Sequence, residues 1–377
     1  MSNFCVAGGT VLRHGVLAPG DVGMAGGVFA EPATGARRFD ASGLLVLPGI
    51  VDIHGDGFER QMQPRPNVPF DPVFALVETE RQLLGCGITT AFHSVTLSWE
   101  PGLRSIEAWR ALLKAMAARP WVCDMKVHLR WEAFNLEALD EAVADIEAGR
   151  VHLLAFNDHM ASILKKLESP FEGAKYAGRA GMKLPAFQAL AENVAGRADE
   201  VPEALDRLAA LCRAHNLPMA SHDDESIEMR QEFQARGAGI SEFPVTGPVG
   251  EYARSLGNAI VMGSPNVVRG GSHLGWMSAA ESAERGICSV LVSDYYYPCL
   301  LAAPFMLADR GKLNLAQAWA LVSANPAAAA LLTDRGVIAD GKRADVVVVD
   351  PATHDSVAVF VRGEPAYLSA EGARRLA

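Results

Sequence analysis

Leu47-Pro48-Gly49-Ile50-Val51-Asp52-Ile53-His54-Gly55-Asp56 decides the reading of this chain. It reads as a short apolar strand that stops at a histidine and an aspartate two residues apart. Alternate residues of a strand share a face, so His54 and Asp56 can point the same way at the carboxyl end of a buried strand. An imidazole and a carboxylate aimed at one point make half of a divalent metal site. A lone His-x-Asp is more simply a strand end capped by polar residues. The surrounding chain separates the two readings.

Downstream of Leu47, short apolar runs alternate with long helical stretches, which predicts a parallel α/β architecture. The first run ends at His54. The others are Gly87–His93, Met125–Arg130, Val151–Asn157, Pro218–His222, Ile240–Val245, Ala259–Gly263 and Ser289–Asp294. Eight such strands with intervening helices close most economically as a (β/α)₈ TIM barrel over residues 47–332. Upstream, residues 1–46 are rich in Val and Gly, carry turn signals such as Pro19-Gly20 and lack helical periodicity, so they read as several short strands. Beyond the eighth run, Asn314–Leu332 is helix-like. The segment Gly336–Asp350 then carries a Gly-Lys turn into four valines.

The 377 residues are half hydrophobic, enough for a large core and for one barrel plus a smaller appendage. A net charge of −10 argues against general affinity for nucleic acid or membranes. A small-molecule anionic substrate would have to be met by local basic groups or metals. Six cysteines are scattered without a Cys-x-x-Cys pair, which suggests buried free thiols in a reducing compartment. The N-terminus lacks a basic segment followed by an apolar core, and no apolar run is long enough to span a bilayer. The expected address is the cytoplasm; homo-oligomerisation is left open.

In a barrel of this kind chemistry sits at the carboxyl ends of the strands. The first offers His54 and Asp56. The third offers His128-Leu129-Arg130-Trp131-Glu132, whose alternation puts His128, Arg130 and Glu132 on one side. The fifth offers Ser221-His222-Asp223-Asp224, and the eighth Asp294. Converging, these make a hard, mixed N/O site for one or two divalent ions: Zn²⁺, Mn²⁺ or Fe²⁺. Asp158 and His159 follow the fourth strand as ligands or substrate contacts. Arg269-Gly270-Gly271-Ser272-His273 combines a cation, exposed backbone N–H groups and a hydroxyl, which suits a phosphate or carboxylate. Arg60 and Arg65, just after the His-x-Asp pair, can also face the site, or stay solvated in their loop.

The motif LPGIVD followed by His-x-Asp resembles the first barrel strand of the amidohydrolase superfamily. The segments IVDIHGDGFERQMQPRP, KVHLRWE, ASHDDES, SEFPVT, NVVRGGSH and VSDYY are similar to one branch of it, the α-D-ribose 1-methylphosphonate 5-triphosphate diphosphatases of the carbon–phosphorus lyase pathway. The similarity runs from about Leu47 to about Phe305. It implies a small discontinuous β-sandwich built from residues 1–46 and 333–377. It implies metal ligands His54, Asp56, Glu132 and His222, with Glu132 standing in for a fourth-strand lysine that the run HLLAFND lacks. It makes Asp294 the acceptor of a proton from a metal-activated water, and Arg65, Asp158, His159, Arg269, Gly270, Gly271 and His273 substrate contacts. The implied reaction, in phosphonate metabolism, splits a sugar triphosphate and releases pyrophosphate.

The chain also departs from that branch. The usual His-Thr-Asp-Asn-Leu-Glu is here His54-Gly55-Asp56-Gly57-Phe58-Glu59, and the usual Ser-Gly-Asn-Val after Gly-Gly-Ser-His is Leu274-Gly275-Trp276-Met277. Hydrolysis of a cyclic amide, imide or lactam is the alternative chemistry. A non-catalytic metal-binding subunit is a further rival, which the retention of His54, Asp56 and Asp294 disfavours.

Overall fold

The computed structural model describes residues 3–65, 68–272 and 275–377. Eight parallel strands form one sheet in chain order: β1 (Ile50–Gly55), β2 (Ile88–Leu97), β3 (Asp124–Glu132), β4 (Leu153–Asn157), β5 (Met219–His222), β6 (Ile240–Glu242), β7 (Ala259–Gly263) and β8 (Val290–Val292). The eight apolar runs of the sequence all became barrel strands. Helices follow the strands, as the right-handed crossover between parallel strands requires. The sheet curls round until its last strand meets its first, giving the TIM barrel.

The seam between β8 and β1 is held by few backbone bonds. Asp294 N–H donates to the His54 carbonyl at 3.0 Å, and Asp56 N–H donates to the Asp294 carbonyl at 2.9 Å. The fully buried Asp52 carboxylate supplies the rest. It accepts from Ser293 N–H at 3.1 Å and from the Ser293 hydroxyl at 2.5 Å. Burial pushes this carboxyl up to about 6, against the opposing pull of the Ser293 hydrogen bonds. Closing the barrel thus places His54, Asp56 and Asp294 side by side.

The barrel interior is filled below the site by Val51, Ile53, Phe92, Leu153, Ala155, Ala220, Val261 and Val290. Between barrel and helices lies a second apolar layer that includes Trp109, Leu129, Trp131, Phe156 and Leu208. Such alternation of two buried faces explains why the strands read as near-continuous apolar runs.

A separate, largely antiparallel sheet is built from both chain ends. Strand Leu45–Pro48 pairs antiparallel with the valine run Val346–Val349, and Phe4–Arg13 joins it to Val16–Ala25. The stretch Leu47–Asp56, read as one strand, is therefore two: Leu45–Pro48 in the sandwich and Ile50–Gly55 in the barrel. Gly49 is the joint. A Cβ there would lie 2.4 Å from Thr89 Oγ1 and 2.9 Å from Asp345 Cβ, so only glycine passes between the two domains. An ion cluster fastens them: Asp124 at the start of β3 pairs with Arg335 and Arg343. Among the described residues no helix is long and apolar enough to cross a membrane.

Candidate metal centre and substrate pocket

Three fully buried side chains meet at the mouth of the barrel. His54 Nδ1 lies 3.0 Å from Glu242 Oε1, and His128 Nε2 lies 3.8 Å from Glu242 Oε2. The His128 ring is set by its other nitrogen. Nδ1 stands 3.0 Å from the Ile53 carbonyl, which can only accept, so Nδ1 carries the proton and Nε2 presents a lone pair. Burial, followed by the Arg130 charge and the neighbouring His222 ring, holds His54 well below the usual imidazole range. Burial likewise pulls His128 down to about 3 although Glu242 opposes it. Both rings are therefore neutral, the state in which imidazole ligates metals.

His54 Nδ1, His128 Nε2 and both Glu242 oxygens are all buried without a hydrogen-bond partner. Lone pairs converging on one point in a protein interior are costly unless a cation satisfies them. Their ligand atoms lie within 4.8 Å of one another. The donor set, two imidazoles and a carboxylate, fits a divalent ion such as Zn²⁺. The backbone carbonyl behind His128 is the kind of second contact that orients a ligating histidine.

A second group, His159, His222 and Asp223, lies within the same 4.8 Å limit nearer the solvent. His222 Nδ1 is 3.1 Å from Asp223 Oδ1, and His159 Nε2 is 3.8 Å from Asp223 Oδ2. Burial disfavours charge on His159, but the hydrogen bonds it donates to Asp223 and Glu132 prevail and raise it to about 9. Asp223, Phe243 and Asp294, each just past a strand end, all hold φ between 52° and 56°. This left-handed backbone is costly for such residues and gathers where strands 5, 6 and 8 open into the site.

A cavity of about 210 Å³ opens above these groups. It is lined by His54, Asp56, Arg130, His222, Asp223, Asp294 and Arg269, with an apolar wall that includes Phe243, Met262 and Trp276. Asp294 is half-buried beside Asp56 and Asp52. Burial, then those carboxylates, push it up to about 7 against the opposing Arg130 charge. A carboxyl that titrates near neutrality can both take and give a proton.

The residues expected from the sequence fall in different places. His54 joins the buried group and His222 the outer one. Asp56 lines the cavity and faces Arg130 at 3.7 Å, outside both groups. Glu132 is turned to His159, accepting from its N–H at 3.0 Å and facing Nδ1 at 3.0 Å. Asp158 accepts from Met160 N–H at the start of the next helix and does not line the cavity. Arg65 is exposed outside it. Arg269 and Gly271 line the rim, while Gly270 ends helix Ser264–Arg269 with φ 79°. His273 lies outside the described residues. Gly55 and Gly57, where the resembled branch has larger residues, pack on buried Tyr297; a Cβ on either would come within 3.3 Å of its ring.

Sequence reasoning missed Glu242. Its strand is only Ile240–Glu242, too short to show alternation, and Phe243-Pro244 follows at once. His128 lies on the face of β3 that alternation predicts, although the expected ligand set leaves it out.

No family model matches this chain. It is 32% identical over 320 residues to the alpha-D-ribose 1-methylphosphonate 5-triphosphate diphosphatase of Escherichia coli (strain K12), covering 83% of this chain and 85% of that protein. Among solved structures, an amidohydrolase from a Sargasso Sea environmental sample superposes with a TM-score of 0.64 at 16% identity, over 97% of this chain and 93% of that one. Molinate hydrolase superposes with a TM-score of 0.62 at 15% identity, over 97% and 94%. The structural likenesses show the fold, and the sequence likeness shows the family: this chain belongs to the α-D-ribose 1-methylphosphonate 5-triphosphate diphosphatase family of the amidohydrolase superfamily, and is a hydrolase.

Proposed function

We propose that this hydrolase splits a phosphoanhydride of a sugar triphosphate of the ribose 1-methylphosphonate 5-triphosphate type, releasing pyrophosphate. The observation that carries the reading is the identity to the Escherichia coli diphosphatase over most of both chains. A cavity that sets two arginines beside the acid group Asp294 supports it.

His54, His128 and Glu242 would hold a divalent ion, and His159, His222 and Asp223 could hold a second, which would have to displace the proton that His159 otherwise keeps. An ion there supplies Lewis acidity toward a phosphoryl oxygen and makes nearby water more acidic. Asp294, raised by desolvation and by Asp56 beside it, takes the proton that water gives up as it attacks, and later returns it. Asp56 holds Arg130 and Glu132 holds His159, so both carboxylates orient their neighbours. Phe243, Met262 and Trp276 exclude water from one side of the cavity, which strengthens the charge contacts inside it.

The test is incubation of the metal-loaded protein with sugar and nucleoside triphosphates, assayed for pyrophosphate, and in parallel with cyclic amides. Pyrophosphate release supports the reading. Ring opening of a cyclic amide without pyrophosphate release refutes it.

A further inference from the structure

Arg130 is buried at the floor of the cavity, on the third strand between two candidate metal groups. Its Nη2 donates to His222 Nε2 at 3.0 Å, its Nη1 stands 3.7 Å from Asp56 Oδ2, and its Nε has no partner. Among the described residues Asp56 is the only carboxylate within 4.0 Å of its guanidinium, and with Asp294 and Glu242 farther off these charges do not repay the desolvation of a cation packed beside imidazoles. A cation kept there at such cost, lining the cavity with an Nη1 that makes no hydrogen bond to a described residue, is set up for an anion. Among the described residues, the only other cation lining the cavity is Arg269. That residue is exposed at the rim, where its Nη1 reaches the Tyr295 hydroxyl at 3.4 Å.

We propose that Arg130 grips the phosphoryl group under attack, and that Arg269 holds the phosphates that leave. The inference rests on the phosphohydrolase reading and assigns its two cations separate tasks. The floor position puts Arg130 beside His54 and Asp294, where the new bond forms. A water oxygen bonds to phosphorus, its proton passes to Asp294, and the bond from phosphorus to the bridging oxygen breaks. The electron pair of that bond departs with pyrophosphate. The planar Arg130 fork, steadied by His222 and Asp56, meets the negative charge that grows on the non-bridging oxygens. Arg269, further out, meets charge present before and after reaction alike. Arg130 should therefore govern kcat and Arg269 should govern KM.

The experiment uses the full-length metal-loaded protein with ATP and inorganic tripolyphosphate as substrates. Arg130→Ala should lower kcat about a hundredfold or more with metal content unchanged, the loss typical of one preorganised donor. Added guanidinium at tens of millimolar should restore at least about tenfold of that rate, which a merely structural role would not allow. Arg269→Ala should raise KM and keep most of kcat. Arg130→Lys keeps the charge without the fork and should fall between wild type and Arg130→Ala, which guards against misfolding of the alanine variant.

Calorimetric binding of ribose 5-phosphate, a monoester mimic of the retained phosphate, should weaken at least about tenfold in Arg130→Ala. A near-normal kcat in Arg130→Ala overturns the proposal. So does metal loss without guanidinium rescue, which would make Arg130 a brace for His222. If the wild type releases no pyrophosphate from either substrate, the functional reading fails, and the binding arm alone judges Arg130: loss of ribose 5-phosphate binding upholds the anion grip and retention overturns it.

Discussion

Glu242→Gln separates the cost of the buried metal group from its use. The Glu242 carboxylate is fully buried, both oxygens lack partners, and burial raises its pKa. Without an ion, the charge faces lone pairs on His54 and His128. A buried polar group left unsatisfied costs about 1–3 kcal/mol, and more when charged. Glutamine keeps the shape, removes the charge and offers an amide donor to His128 Nε2. In the presence of a chelator, Glu242→Gln should therefore be more stable than wild type by about 1–3 kcal/mol, or about 1–4 °C in Tm for a chain of this size. Saturating Zn²⁺ or Mn²⁺ should reverse the order. Wild type gains about 2.7 kcal/mol when free metal exceeds Kd a hundredfold, and the variant gains little. The assay is thermal unfolding of both proteins at one scan rate, with chelator and with metal, alongside metal content by mass spectrometry. A variant that is less stable in chelator yet keeps a full complement of ion would show that Glu242 braces the barrel and is not held there for a metal.

Asp294→Asn keeps the shape of the seam but cannot accept a proton at neutral pH, so a folded, metal-retaining protein with kcat reduced about a hundredfold or more is expected; near-normal turnover with a lower Tm would mark Asp294 as structural. Asp124, partly shielded from solvent, is held down to about 2 because Lys126, Arg335 and Arg343 outweigh its burial. Its ordinary value is 3.8. The stability it gives is complete above that value and is lost as pH falls through about 2, so Asp124→Asn should cost about 2 kcal/mol at pH 7 and about 1 kcal/mol less at pH 3, read from urea midpoints. Gly55→Ala places a Cβ 2.7 Å from Asp52 Oδ2 and 2.8 Å from Ser293 Oγ, the pair that closes the barrel. A loss of about 1–3 kcal/mol is expected, with a fall in turnover because His54 and Asp294 share that seam; an unchanged urea midpoint would contradict it.

The barrel was legible in the sequence because buried parallel strands need apolar side chains on both faces, and those runs stand out between amphipathic helices. Strand ends carrying His54, His222 and Asp294 were legible with it: a polar residue that closes an apolar run stands at the mouth of the barrel, where ligands and proton acceptors belong. Side-chain direction was less readable. The pairing of β1 with β2 shifts register between Asp52 and Gly55, so simple alternation fails just where His54 and Asp56 leave the strand. Glu132 and Asp56 were placed at the correct end of the barrel, but their partners, His159 and Arg130, come from elements whose approach depends on the closed fold. Glu242 was hidden in a three-residue strand with no period to read. Pro48-Gly49 carried a signal that was readable in principle: a residue without an N–H donor followed by one without a Cβ marks a break between strands.

In the proposed reaction, water attacks the phosphorus that remains with the sugar, and a divalent ion is required. The most direct measurement is hydrolysis in H₂¹⁸O of a ribose 5-triphosphate derivative by the metal-loaded protein, with both products analysed by mass spectrometry. One ¹⁸O is expected in the sugar monophosphate and none in the pyrophosphate, with loss of the reaction on chelation. Label in the pyrophosphate, release of orthophosphate in its place, or turnover indifferent to the chelator would contradict it.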